Sequence, residues 1–378
     1  MSWTKRFRDA WCIIGITILL FLVLELTAFI AAKIYNPYDK RADLPVYKDF
    51  KQRVEFWREH DKTWSNLEYA PYHLWTRPPF SGRWTNIDAK GDRVTHYNVD
   101  EKLSGVNKVF MFGGSTLWST GATDWQTIPS FVAKFLNEKQ TRSIVYNYGE
   151  TSFVSTQGLN RLISEIKEGN VPDLVIFYSG INDASTAAFG LAALKGSSYH
   201  SHMDRFQAMF KASSRTHFAE IIKSSYILKA MRMLKNKFSL SDERIWAEKL
   251  SQKDKQGAII NTAKHWIANY RIASSIGKEY DFKVIFVLQP SLYSGKKVLQ
   301  DYEKAMLQGE SQPVMQAAYQ QIRKDIENQA IQGIYDISDV FKQISDPIYI
   351  DWAHTGPLGN YYIAQHIAKI IESEGLLE

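Results

Sequence analysis

A single cysteine, Cys12, serves the whole chain of 378 residues, so neither an intrachain disulfide nor a cysteine-based metal site is available. Cysteine usage therefore leaves the compartment open. Charge of one sign is also lacking: 46 basic residues against 40 acidic ones leave a formal +6. No zinc-finger spacing or basic-aromatic repeat accompanies that excess, so no nucleic-acid partner is expected. A Gly-x-x-x-x-Gly-Lys phosphate loop, internal repeats and low-complexity segments are absent too. His200, His202 and His217 form no familiar ligand spacing and read as surface histidines, so neither metal nor cofactor is expected. What is there suits a folded protein: 45% hydrophobic and 23% charged residues, with length for one large domain and appendages.

After a short tail, residues 1–10, carrying Lys5, Arg6 and Arg8, the run Trp11 to Ala32 has Glu25 as its only charge. At 1.5 Å per residue it measures about 33 Å, enough for a hydrocarbon core of roughly 30 Å. A cleaved signal peptide would be shorter and end in an Ala-x-Ala-like site, whereas Phe29-Ile30-Ala31-Ala32-Lys33 lacks the first small residue. An uncleaved anchor over 11–32 is the reading. Lys33, Lys40 and Arg41 match the N-terminal cations in number, so the positive-inside count is a tie. The short tail with its free amine places the N-terminus in the cytoplasm and the rest outside it. A mid-span carboxyl is costly, which makes Glu25 a candidate contact for a membrane-protein partner.

Residues 33–107 form an aromatic-rich collar, with Trp57, Trp64, Trp75 and Trp84 expected to pack it onto the main body. An amphipathic helix is expected from Tyr47 to His60 and a short β element around Arg93 to Tyr97. From 108 to 378 short apolar runs alternate with helical patterns. Strands are expected at Lys108 to Phe112, Ser143 to Tyr148, Leu174 to Ser179, Lys283 to Leu288 and Ile334 to Ile337. Helices are expected at Thr127 to Asn137, Thr156 to Glu168, Asn261 to Glu279, Val314 to Gln329 and Gly359 to Ser373. This alternation specifies an α/β fold with a parallel sheet covered on both faces, where ligands bind beyond the carboxyl ends of the strands. A basic helical insertion, 184–256, interrupts it and reads as a hairpin, a lid or a membrane-surface element.

Three segments carry chemistry. Val109-Phe110-Met111-Phe112 runs into Gly113-Gly114-Ser115, a tight turn that lifts a hydroxyl off a strand end. Phe177-Tyr178-Ser179-Gly180-Ile181-Asn182 repeats the pattern and sets an amide donor at the same edge, where it could stabilise an oxyanion. Asp351-Trp352-Ala353-His354 follows the last strand. An aspartate three residues before a histidine can accept a hydrogen bond from Nδ1–H, fixing the tautomer that leaves Nε2 free to deprotonate a serine. Each segment alone is also an ordinary turn or cap. Ser115 is not in Gly-x-Ser-x-Gly, since Leu117 holds the last position, which argues against an α/β-hydrolase.

Taken in order, these blocks resemble the SGNH/GDSL hydrolase superfamily, serine esterases of flavodoxin-like architecture. Gly113-Gly114-Ser115-Thr116 is similar to the Gly-Asp-Ser block, Gly180-Ile181-Asn182-Asp183 to Gly-x-Asn-Asp, and Asp351 to His354 to Asp-x-x-His. The resemblance implies Ser115 as nucleophile, His354 as base and Asp351 as its orienter, with the Ser115 N–H and Asn182 as oxyanion donors. The family's remaining donor is a glycine N–H after the second strand. The continuation Thr156-Gln157-Gly158-Leu159 aligns Ser152, rather than Gly149, with that glycine, which puts the backbone conformation in question. Gly114 stands where the family commonly has Asp.

The implied activity is acyl-ester chemistry, acetyl foremost, through an acyl-serine. Water as the acceptor gives an esterase and a sugar hydroxyl an O-acyltransferase. A silent glycan-binding or scaffolding subunit is the alternative from another class. Envelope-anchored relatives of this kind imply an acylated glycan or lipid-linked substrate in a bacterial cell envelope.

Overall fold

In the computed structural model, residues 3–34, 39–64, 67–189, 225–228, 231, 251–307 and 312–377 are described. His200, His202, His217 and most of the expected insertion lie outside them. Contacts group the chain into two units, Met1–Tyr38 with His202–Arg244, and Asp39–Ser201 with Ile245–Glu378.

In the first unit, helix α1 (Trp3–Ile34) contains the expected apolar run and extends it at both ends. Among the described residues it is the one helix long and apolar enough to cross a membrane. Ile13, Leu19, Phe21, Leu24 and Leu26 are all exposed, so the apolar surface runs around the helix rather than along one stripe. Glu25 is engaged within the chain. Its carboxylate accepts from Ser225 Oγ at 2.9 Å, from the Ile227 N–H at 3.2 Å and from the Tyr226 N–H. The Tyr226 ring also meets Phe29 edge-on at 5.1 Å.

The second unit opens with helix α2 (Arg53–Trp64) and two small antiparallel pairs, β1 (Glu68–Ala70) with β2 (Leu74–Thr76) and β3 (Phe80–Ser81) with β4 (Asn86–Ile87). The collar helix thus starts later than its apolar spacing suggested. Pro45–Tyr47 forms a separate 3-10 turn, which drops Tyr47 into a small core with Phe56, Trp57, Trp84 and Ile350. Trp57 and Trp75 are fully buried, as packing onto the body requires. In place of a strand at Arg93 to Tyr97, Arg93 makes isolated bridges to Ile87 and Asn147, and the Asn98 amide pairs with both backbone groups of Val145. The collar therefore covers the edge of the main sheet, which would otherwise present unpaired groups.

That sheet is parallel throughout, in the order β6 (Ser143–Gly149), β5 (Asn107–Gly113), β7 (Leu174–Ser179), β8 (Lys283–Leu288) and β9 (Ile334–Asp336). The central runs Val109 to Phe112 and Leu174 to Phe177 are buried on both faces, which is why they read as unbroken apolar stretches. Between and after the strands come α3 (Ser115–Trp118), α4 (Ile128–Glu138), α5 (Ser155–Lys167), α6 (Ile181–Phe189), α7 (Gln252–Tyr280), α8 (Asp301–Ala305), α9 (Gln312–Asn328) and α10 (Pro357–Ser373). Helices α4 and α10 pack together as one layer; α5, α6, α7 and α9 form the other. Helix α6 continues past the expected start of the insertion at 184. Helix α7 begins well before the expected Asn261, because Ser251 caps it by accepting the Asp254 N–H at 3.1 Å.

Strand β5 lies between β6 and β7, so the chain leaves it first to one side and then to the other. Crevices at such switch points, beyond the carboxyl ends of the strands, hold ligands in open α/β sheets. Gly113 is level with Gly149 on one side and Tyr178 on the other, so the loops after all three strands meet there.

Candidate active site

Ser115 is the first residue of α3, directly beyond β5, and is only 6% exposed. Its Oγ lies 2.7 Å from His354 Nε2, and His354 Nδ1 lies 2.7 Å from Asp351 Oδ2. The loop holding this pair is shaped by the same carboxylate. Asp351 Oδ1 accepts the backbone N–H groups of Ala353 at 2.8 Å and His354 at 2.7 Å, closing an Asx-type turn. Its other oxygen is left for the ring. With the Nδ1–H donating to Asp351, Nε2 presents a lone pair to the Ser115 hydroxyl. Burial alone would raise the Asp351 carboxyl, but the adjacent imidazole and these N–H donors bring it below the ordinary carboxylate value. It is therefore ionised at neutral pH and suited to stabilise an imidazolium.

The amide donor is close by. Asn182, in the first turn of α6, donates through Nδ2 to the Phe153 carbonyl at 2.9 Å, which leaves its second N–H for another acceptor. Gly114 makes this approach possible, since a Cβ there would lie 2.1 Å from Asn182 Nδ2. Asp183 faces away from the reaction. Its carboxylate caps α5 by accepting from the Ser155 N–H and hydroxyl, and Asn269 donates to the same hydroxyl.

The loop after β6 discriminates between the two candidate backbone donors. The Gly149 N–H is already given to Asn147 Oδ1 at 3.0 Å. Ser152 sits at φ +62°, the left-handed region that glycine adopts most easily. The backbone conformation that the sequence put in question at this position is therefore one a glycine would adopt without strain. The Ser152 N–H and that of Ser115 find no acceptor among the described residues.

A model of the GDSL-like lipase/acylhydrolase family matches residues 109–367, more than half of the chain. The chain belongs to this family. Membership makes it an enzyme of the SGNH type with acyl-ester hydrolysis as its reaction class. Solved structures similar to this GDSL-family chain include an acetyl xylan esterase, AlAXEase, at 14% identity and TM-score 0.39, covering 70% of this chain and 99% of that one. Another is the acetylxylan esterase Axe2 from Geobacillus stearothermophilus, at 13% identity and TM-score 0.38, covering 70% and 94%. A carbohydrate acetylesterase family member from Sinorhizobium meliloti shows 12% identity and TM-score 0.38, covering 71% and 98%. No curated protein sequence matches.

Several residues that support this GDSL site left no mark in the sequence. Gln289, after β8, exchanges hydrogen bonds with the Thr116 hydroxyl beside the nucleophile. Two buried arginines lie on the Trp118 ring at the end of α3, Arg77 at 4.1 Å and Arg93 at 4.3 Å. Arg93 pairs with Asp124 at 3.0 Å and donates to the carbonyls of Trp118, Ser119 and Ala122, fixing the turn that follows α3. These partners are far apart in sequence and follow no motif. Among the described residues no cluster of three or more His, Cys, Asp or Glu could hold a metal ion.

Proposed function

We propose that this chain is a membrane-anchored serine hydrolase that cleaves acyl esters, acetyl foremost, of an envelope glycan or lipid-linked substrate through an acyl-serine. The Ser115–His354–Asp351 relay, two contacts of 2.7 Å in series, carries the reading. His354 Nε2 takes the Ser115 proton as Oγ attacks the ester carbonyl. The negative charge that develops is met by the Ser115 and Ser152 N–H groups and Asn182 Nδ2. His354 then protonates the leaving alcohol, and a second acceptor, activated in the same way, releases the acyl group and restores Ser115.

A nucleophile as little exposed as Ser115 favours a short acyl group. Helix α1 supports the anchored half of the reading; the short basic tail with its free amine is the ground for an N-terminus in the cytoplasm and the catalytic unit outside. The test is Ser115→Ala in the full chain, read with a chromogenic acetyl ester and a serine-directed fluorophosphonate. Turnover should fall at least about a thousandfold and labelling should vanish. Labelling that persists at wild-type level removes Ser115 from the mechanism. Product analysis with a glycan acceptor present separates release to water from transfer to sugar.

A further inference from the structure

The loop bearing Ser152 is gripped by a side chain that comes from outside the family-matched region. Arg77 lies in the collar and is 1% exposed. Its Nε donates to Glu150 Oε1 at 2.9 Å, one terminal nitrogen to the Thr63 carbonyl at 2.5 Å, and the other to the Thr151 hydroxyl. Collar residue Trp75 adds a hydrogen bond from Nε1 to the Thr151 carbonyl at 2.9 Å. The Glu150 carboxylate accepts the Thr151 N–H, and the Glu150 N–H bonds Gly113 O at 3.1 Å, beside the nucleophile turn. Both residues before Ser152 are thus held through backbone and side chain.

Such holding has a purpose at this position. A non-glycine residue in the left-handed region is strained, and contacts on its neighbours hold it there. The other face of the Arg77 guanidinium covers Trp118, three residues along the helix that Ser115 begins. One side chain therefore touches both segments whose N–H groups would form the oxyanion hole. A buried Arg–Glu pair rarely adds net stability, because desolvation offsets the attraction.

We propose that Arg77 is a positioning residue for acyl transfer, holding the Glu150-Thr151-Ser152 loop and α3 in the register that the oxyanion requires. This rests on Ser115 as nucleophile and on the Ser152 N–H as an oxyanion donor. A positioning role and a merely structural one differ in what they stabilise. The first acts on the tetrahedral adduct and the second on the folded state alone.

The experiment uses Arg77→Lys, Arg77→Met and the milder Thr151→Val in the full chain. It reads kcat, KM, the thermal midpoint and the affinity for a phenylboronic acid, which adds to the serine oxygen as a tetrahedral anion. Arg77→Lys and Arg77→Met should lower kcat about 10- to 100-fold, leave KM within about twofold, and weaken boronate binding by a similar factor. Thr151→Val should lose several-fold in kcat and boronate affinity, with a smaller loss of midpoint than either Arg77 variant. Folded Arg77 variants with wild-type kcat and boronate affinity would overturn the proposal. So would Arg77 variants that fail to fold beside a Thr151→Val of wild-type activity and boronate affinity. A wild-type chain that neither turns over an ester nor binds boronate at Ser115 overturns the underlying acyl-serine reading instead.

Discussion

At Gly114 the absence of a side chain is functional, since the space a Cβ would take is occupied by the Asn182 amide, itself pinned to the Phe153 carbonyl. Gly114→Ala should displace that amide. It is expected to cost about 10²-fold in kcat, the scale of losing one oxyanion donor. Steady-state kinetics beside Asn182→Ala checks this, and a Gly114→Ala enzyme of full activity would detach Asn182 from the hole. Ser152 presents the opposite case, a side chain where glycine fits better. Ser152→Gly relieves the left-handed conformation and should raise unfolding stability by about 1 kcal/mol in urea titrations, with kcat kept within severalfold. At Asp351 one carboxylate both shapes the loop and orients the base. Asp351→Asn keeps much of the turn but offers Nδ1 a poorer partner, so turnover should drop roughly 10³- to 10⁴-fold with little change in KM.

At the scale of elements, two buried collar histidines couple stability to pH. His60 is fully buried in α2 among Phe56, Trp57, Trp64 and Trp118, and neither ring nitrogen finds a partner among the described residues. Burial first, then Arg93, Arg77 and Arg41, holds it well below the ordinary histidine value. Burial and Arg161 bring His73 down to about 4. Both folded values lie below the unfolded one, so the unfolded chain binds more protons in between. The stability these histidines confer is whole above about 6.5 and is lost as pH falls toward 4. The histidines thus lower urea midpoints between pH 7 and pH 5, against the buried Asp92 carboxyl, which burial raises to about 7 and which acts in the opposite sense. His60→Phe, which fills the same aromatic box without a proton site, should remove the histidine's share and make the midpoint fall less from pH 7 to pH 5 than in the wild type. An unchanged slope in His60→Phe would assign the pH response elsewhere. The central strands β5 and β7 were legible because buried strands are unbroken apolar runs, and the boundaries of all five sheet strands shift by only a residue or two. The collar strands, two or three residues long, carry no period to read. The same division holds at the site: Ser115, Asn182 and the Asp351/His354 pair sit in local motifs. The Arg77–Glu150 and Arg93–Asp124 pairs join residues distant in sequence through geometry alone.

Taken whole, the chain joins a catalytic unit to a helix that exposes large apolar side chains around its axis, among them Ile13, Leu19, Phe21, Leu24 and Leu26. Water is a poor solvent for that surface, at roughly 25 cal/mol for each Å² exposed, and a hydrocarbon layer removes the cost. The full chain should accordingly stay with the membrane pellet after alkaline carbonate extraction, and protease added outside intact spheroplasts should digest the catalytic unit. Recovery in the soluble fraction would count against the anchor. Within such a layer Glu25 needs donors, and Ser225, Tyr226 and Ile227 supply them, so the segment 225–228 is held at the depth of Glu25 along α1. Replacing Glu25 by Leu removes the acceptor and leaves those N–H groups to seek water. In a Cys12→Ser background with Tyr226→Cys, a membrane-impermeant maleimide should react slowly when Glu25 is present and several-fold faster in Glu25→Leu. Glu25→Gln should fall between, because its single carbonyl oxygen still accepts. Equal rates in all three would mean that Glu25 does not hold this segment against the anchor.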